Sequence, residues 1–415
     1  MKDNSKISSK ILSDNLKTRT AWFGVFLGLS AGALAAFHQF KIPPAMPLLL
    51  ETYNYDLTLA GGFMSVYAVL GIATSAFLGI WLEKFGIKIY ALGAGILLIV
   101  GSLVTISWPN NPEIVLLSRG IEGLGFAILA IIGPIIAIQN ATEKHRPLAI
   151  AIFASWIPVG QLSALGVAQP AIASGQWRFI WWIGIILTIL VVLGLWLKYK
   201  NNQENNPVSS SKIDNHVLLK SHRISLLLAA GIFTLWAAQY LAMSTWLPQY
   251  LVTERGFSPT DALVPYAIPT VIIIFFNLVG GFIIRWGIPI FPILAFVLSV
   301  QASLWIIFDS LSSTFSGILA LVIYGAAAGI TPTCLFSMPN TILGKHGNNG
   351  PAFGIIMTGR HLGVLAGPIL LPQLILINGD WGSAGLFFGL ITFFASTITL
   401  GLAIIFFRTK NKLQD

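Results

Sequence analysis

Apolar runs long enough to cross a bilayer follow one another along almost the whole of this 415-residue chain. A hydrocarbon core takes about 20 apolar residues of helix, and such runs fall at roughly 20–50, 57–82, 86–108, 112–140, 147–174 and 177–197. After one interruption they resume at roughly 224–252, 258–284, 288–308, 314–343, 350–377 and 381–407. Charged residues make up only 9% of the chain and hydrophobic ones 55%, whereas a soluble protein carries about a quarter charged residues. The main solvent is therefore lipid. Lipid offers backbone N–H and C=O groups no partners, so each run must satisfy its own backbone as a helix. The expected fold is an all-α polytopic membrane protein of twelve transmembrane helices, numbered below as spans 1 to 12 in the order given.

The spans divide six and six. Residues 1–19 are polar and lack a small-residue cleavage site, which reads as a cytosolic tail and not a signal peptide. Residues 20–197 form the first bundle and 224–407 the second. Between them lies a polar linker, 198–223, containing the run Asn201 to Ser211, and residues 408–415 are a short tail. Basic residues set the orientation, because Lys and Arg concentrate in cytoplasmic loops. With the N-terminus inside, all 24 fall in inner segments except Lys41, Arg119, Arg178, Arg255 and Arg360. The outer loops instead hold Glu51, Asp56, Glu113, Glu254, Asp261, Asp309 and Asp380. Both termini are thus expected in the cytosol. The net charge of +9 is topological and implies no nucleic-acid partner.

Cys334 is the single cysteine, so there is no disulfide framework, and the six histidines show no metal-ligand spacing. No cofactor or metal is expected. The chain carries no phosphate-cradling GxxxxGK[ST] and no nucleophile elbow, so it reads as neither an enzyme nor a pump driven by nucleotide hydrolysis.

The halves are related in sequence. At an offset of 201 residues, Gly79-x4-Lys84-Phe85-Gly86-Ile87 lies over Gly280-x4-Arg285-Trp286-Gly287-Ile288, at the inner end of the second span of each half. The same offset places Pro47-x2-Leu50-x-Thr52 over Pro248-x2-Leu251-x-Thr253. Paired halves of this kind are the architecture of a transporter that rocks around a midplane site.

The segment Gly79-x3-Glu83-Lys84-x-Gly86-x-Lys88 resembles the loop signature of the major facilitator superfamily, with Glu83 where Asp is commoner. Arg119-x2-Glu122-Gly123-x-Gly125 resembles the same family's span-4 motif. The resemblance implies two pseudo-symmetric six-helix bundles that alternate access, in a bacterial cytoplasmic membrane, as a monomer. It also implies a latch between bundles at Gly79, Glu83, Lys84, Gly86 and Lys88. The glycine-rich span-5 motif of drug–proton antiporters is missing from Ser155-Trp156-Ile157-Pro158-Val159-Gly160-Gln161. On span 11, Gly359-x3-Gly363-x3-Gly367-Pro368 is more similar to the cyanate and nitroimidazole transporter branch.

Ionisable groups inside the spans are few: Lys41, Arg119, Arg360, His38, His361 and the single acid Glu122. Charge at bilayer depth is expensive and normally faces a cavity or a partner. Cations exceed acids, which points to a small planar or linear anion held by the two-pronged guanidinium. Lys41 and Arg119 differ in depth by only ~3 Å at 1.5 Å per residue, and His38 and Glu122 each lie one turn deeper. The family's spans 1, 4, 7 and 10 line its cavity, so the resemblance implies that these groups meet there. The bland alternatives are an i,i+3 pair of Arg119 with Glu122 and a Lys41 that snorkels to the interface.

The offset maps His38 and Gln39 onto Gln239 and Tyr240, and Trp236, Gln239, Met243 and Trp246 recur at helical spacing on span 7. The expected substrate contacts are Lys41, Arg119, Arg360, His38, Gln39, Trp236, Gln239 and Tyr240. Tyr324, Thr331, Thr333, Cys334 and Asn277 are weaker candidates that serve equally well in packing. Glu122 and His38 are the proton-coupling candidates. The reading is a secondary transporter of a small anion, proton-coupled; the competing readings are a drug or metabolite exporter of the same superfamily and a non-transporting sensor on its scaffold.

Overall fold

In the computed structural model of the chain, residues 19–142, 144–199, 222–311, 314–343 and 350–411 are described, except the side chains at 70–85, 147, 151, 350, 351, 405 and 407–411. Residues 1–18, most of the linker, and the end of the C-terminal tail lie outside the described residues, as do the side chains of Gly79, Glu83 and Lys84. Among the described residues the secondary structure is helix and turn, with no strand. Ten helices are long and apolar enough to cross a membrane, and the bent pair Leu148–Ala154 and Trp156–Ala173 makes an eleventh. The twelfth is the first part of the element Leu57–Ser107, apolar over Leu57–Val69, which becomes span 3 at Gly86. The protein is a multi-pass membrane protein of two six-span halves.

The repeat is visible in the backbone. Gly86 has φ 74° and Gly287 φ 79°, and these two glycines are the pair that the 201-residue offset superposes. Positive φ is free of penalty only for glycine, so each half turns out of its second span on a residue of the same type at the same place.

Two spans are interrupted, span 1 in its hydrogen-bond ladder only and span 5 by a bend. Lys41 keeps a helical φ of −70° and ψ of −21°, and Trp22–Tyr53 runs as one span. Span 1 consists of Trp22–Phe40 and Ile42–Tyr53, separated at Lys41. Pro43 and Pro44 open the second piece; neither has an N–H, and their rings crowd the carbonyls of Gln39 and Phe40. Span 5 bends by 40° at Ser155, where Pro158 leaves the Ala154 carbonyl without a helical donor.

Close packing inside each half rests on small residues, as between membrane helices generally. Gly160 of span 5 lies against span 1, where an added Cβ would come within 2.3 Å of the Ala33 carbonyl oxygen. The span-11 glycines sit against span 7: a Cβ on Gly359, Gly363 or Gly367 would strike the carbonyls of Ala230, Thr234 and Ala238 at 2.2, 2.2 and 2.0 Å. The glycine series that pointed to a particular branch of the family is thus a helix-packing seam.

The halves meet toward the face opposite the termini, called here the far face. Gln373 of span 11 donates to Thr58 of span 2 at 2.8 Å, and Gln161 of span 5 to Tyr266 of span 8 at 3.0 Å. The piece Ile42–Tyr53 packs on span 7 across the same boundary. Lys88, expected in the latch, sets its ammonium 4.9 Å from the centroid of Trp196, on span 6 of its own half.

Candidate functional site

A glycine on each of spans 3 and 4 lets the charged residues of span 4 pack closely. At Gly101 on span 3 an added Cβ would lie 2.5 Å from Glu122 Cγ, and at Gly123 it would lie 3.1 Å from Tyr67 Cα. Spans 2, 3 and 4 therefore close around one carboxylate. Glu122 Oε1 accepts from Lys41 Nζ at 2.6 Å and from the Ser102 hydroxyl at 2.6 Å. Its Oε2 accepts from the Tyr67 hydroxyl at 2.9 Å and from Arg119 Nη1. Lys41 Nζ also donates to Ser102 at 3.0 Å and lies 3.2 Å from His38 Nδ1. His38 Nε2 pairs with Thr188 of span 6 at 2.9 Å. All of these side chains are buried.

The depth argument thus describes where His38, Lys41, Arg119 and Glu122 lie: the structure brings all four together. It does not leave them free. Arg119 donates through Nε to the Phe63 carbonyl at 3.2 Å, through Nη1 to the His38 carbonyl at 2.8 Å and through Nη2 to the Gln39 carbonyl at 3.0 Å. Its guanidinium also stacks 4.4 Å from the Tyr67 ring centroid, and Lys41 Nζ lies 4.8 Å from that of Trp181. In this arrangement Lys41 and Arg119, expected as an anion clamp, are both engaged by protein partners. Lys41 is held by the Glu122 carboxylate, Ser102 and His38, and Arg119 by that carboxylate and three carbonyls, which the sequence inventory had not counted as acceptors.

The second half repeats the arrangement with neutral groups. Gln239 Oε1 accepts from Trp305 Nε1 at 2.6 Å and from the Tyr324 hydroxyl at 2.8 Å, while its Nε2 donates to Gln301 Oε1 at 2.8 Å. Gln301 also accepts from Trp236 Nε1 at 3.1 Å and donates to Thr331 at 2.9 Å. The Gln239 carbonyl oxygen and the Trp236 indole N–H are thereby used inside their own half, while the second N–H of Gln239 Nε2 keeps no partner among these bonds. Trp236 stacks on Tyr240 with ring centroids 5.2 Å apart. Arg360, half-buried on span 11 near Tyr240, is the one intramembrane cation among the described residues with no hydrogen-bond or ion-pair partner.

Unpaired polar atoms stand elsewhere. Among the described residues six buried side-chain atoms lack a hydrogen-bond partner: Ser65 Oγ, Trp181 Nε1 and Gln249 Oε1 are three, and the other three are Gln39 Oε1, Gln161 Oε1 and Thr245 Oγ1. The last three belong to spans 1, 5 and 7, which meet where the halves join: Gln161 Nε2 already crosses to Tyr266, and the Tyr266 hydroxyl donates to the Ser244 carbonyl at 2.9 Å. Buried polar atoms in native proteins are nearly always paired, so an orphan asks for a water or a ligand. Sequence reading chose Gln39 and missed Gln161 and Thr245; the available signal was an amide and a hydroxyl inside otherwise apolar runs.

A family model described as the Major Facilitator Superfamily matches residues 21–350. The galactose–proton symporter of Escherichia coli (strain K12) is 28% identical over 177 residues, 42% of this chain and 37% of that protein. Myo-inositol transporter 3 of Cryptococcus neoformans var. grubii is 26% identical over 207 residues, 46% of this chain and 34% of that protein. The proton-coupled antiporter flippase LtaA of Staphylococcus haemolyticus is 26% identical over 207 residues, 49% and 50% of the two chains. The matches thus span between a third and a half of these relatives' length. Among solved structures, a D-xylose–proton symporter superposes with TM-score 0.73 at 16% identity, over 92% of this chain and 97% of that one. The xylose transporter XylE from E. coli, in a partially occluded inward-open conformation, gives TM-score 0.70 at 16% identity with the same coverage. At that identity the likeness is one of fold.

Proposed function

This chain belongs to the Major Facilitator Superfamily, and from that premise we propose that it is a proton-coupled secondary transporter of a small neutral polyhydroxylated solute, a monosaccharide or a cyclitol, in a bacterial cytoplasmic membrane. One contrast carries this reading. The cations of the first half are held by protein acceptors, whereas neutral atoms of Gln39, Gln161 and Thr245, on spans 1, 5 and 7, are among the buried atoms left without a partner. An amide oxygen accepts from a hydroxyl, and a threonine hydroxyl both donates and accepts, which suits a ligand rich in hydroxyls. Arg360 adds N–H donors, which serve sugar oxygens as readily as a carboxylate. The names of the relatives, a galactose–proton symporter and a myo-inositol transporter, support the same class of solute. Glu122, ringed by His38, Lys41 and Arg119, is the natural proton-carrying centre, because it is the single carboxylate at that depth.

The test is reconstitution of the purified protein into liposomes with an imposed pH gradient. Labelled D-galactose, D-xylose and myo-inositol are compared with cyanate, nitrate and acetate. At least one neutral solute should accumulate, and a protonophore should abolish the accumulation. Gln161→Ala should raise the KM for that solute about tenfold, the worth of one hydrogen bond. Accumulation of an anion and of none of the neutral solutes would overturn the reading.

A further inference from the structure

A second space of solute size lies on the far face. Trp246, Gln249 and Glu254 of span 7, Pro372 of span 11 and Trp381 of span 12 wall it, and Leu57 at the start of span 2 borders it from the first half. Its volume is about 130 Å³, close to the roughly 150 Å³ that takes one benzene ring. Gln249 stands one turn, about 6 Å, beyond Thr245 on span 7. Beneath the space, Trp246 Nε1 donates to the Pro368 carbonyl at 2.8 Å, and Gly61 of span 2 meets that same carbonyl. Trp381 is seated edge-on against Tyr250, with ring centroids 5.2 Å apart. Gln249 Oε1 is buried without a hydrogen-bond partner. The exposed Glu254 carboxylate has no hydrogen-bond or ion-pair partner among the described residues.

We propose that this space is a second binding site for the solute class named above, a neutral polyhydroxylated ring. This rests on that functional reading. Small-molecule sites are mostly apolar and aromatic, with a few polar groups that fix orientation, and this one has that make-up. Two indoles offer apolar surface to the C–H side of the ring. The free amide oxygen of Gln249 accepts from one hydroxyl, and the Glu254 carboxylate accepts from another in a stronger, charge-assisted bond. The wall is complete only while the halves meet. Thr58 and Gln373, the residues next after Leu57 and Pro372, share the 2.8 Å hydrogen bond across the seam. A solute in this site therefore binds the closed far face better than the open one, and shifts the population toward it. At high concentration the solute slows its own transport.

The test is equilibrium dialysis of the purified full-length protein with labelled D-galactose, followed by initial uptake rates in proteoliposomes. Wild type should bind two D-galactose molecules per chain. Gln249→Leu and Glu254→Gln should each weaken one of the two sites at least about tenfold, the worth of one hydrogen bond, while Gln161→Ala weakens the other. Uptake by wild type should pass through a maximum as D-galactose rises, and both variants should reach a plateau instead. A purely structural role for Gln249 or Glu254 would not remove that maximum. One D-galactose per wild-type chain, or two whose affinities are unchanged in both variants, overturns the inference. If Gln249→Leu does not insert, Glu254→Gln decides alone, since its side chain is exposed. A single site leaves the functional reading standing and removes only this inference. No binding of D-galactose, D-xylose or myo-inositol to wild type would remove both.

Discussion

Gly61→Ala should unlock the far face. Gly61 of span 2 meets Pro368 of span 11 backbone to backbone, and a Cβ there would lie 2.2 Å from the Pro368 carbonyl oxygen and 2.9 Å from its carbon. Carbon and carbonyl oxygen approach no closer than about 3.3 Å in ordinary contacts, so the halves must part locally by about 1 Å. The oxygen cannot swing aside. Pro372 deprives it of a helical donor, and Trp246 Nε1 pins it at 2.8 Å. Overpacking of this kind costs about 1–3 kcal/mol. It is felt only when the far face is closed, so the closed-to-open ratio should fall roughly 5- to 150-fold. Thr58 and Gln373, hydrogen-bonded across the halves, mark the closed state. In a Cys334→Ser background, Thr58→Cys with Gln373→Cys should form a disulfide readily, and Gly61→Ala should slow its formation at least about fivefold. Gly354→Ala on the same span 11 is the control, because a Cβ there meets nothing within 4 Å. Cross-linking at the unmodified rate in Gly61→Ala would refute the reasoning.

Lys41→Met should be milder than Glu122→Gln: the first leaves one cation with one carboxylate, while the second strands two buried cations, and breaking such a buried pair costs about 3–5 kcal/mol. Thermal unfolding of the purified variants should rank them in that order, and the reverse order would remove Glu122 as the charge holding the cluster together. Gln239→Leu should destabilise the second half by roughly 2–6 kcal/mol, because Trp305 and Tyr324 each lose a buried acceptor worth about 1–3 kcal/mol; a melting temperature equal to wild type would contradict that.

Much of the fold was legible because a membrane reduces the problem to length and polarity. Twelve runs, a polar linker and a 201-residue repeat follow from residue type alone, and the repeat extends to Gly86 and Gly287, both at positive φ. The breaks were less visible. Apolar composition does not change across Lys41 or Ser155, and what breaks the spans is a missing N–H at Pro43, Pro44 and Pro158. Those prolines were in view, but hydropathy carries no term for a backbone donor.

The site shows the same gap at closer range. Depth along a helix is fixed by residue count, which is why His38, Lys41, Arg119 and Glu122 could be brought to one level from sequence. Whether a cation at that level is available to a ligand depends on its acceptors, and only side chains had been counted. Three cations against one carboxylate looked like an excess waiting for an anion. Yet Pro43 had already freed the Gln39 carbonyl, one of the three that Arg119 holds, and carbonyls in a dry interior are strong partners for a guanidinium. Counted with those oxygens, the two cations of the first half are spoken for, and Arg360 in the second is the one described intramembrane cation without such a partner. In a membrane helix a proline beside a buried arginine is therefore evidence about the arginine: each backbone donor removed within reach adds an acceptor to its surroundings and makes a bound anion less necessary to explain it.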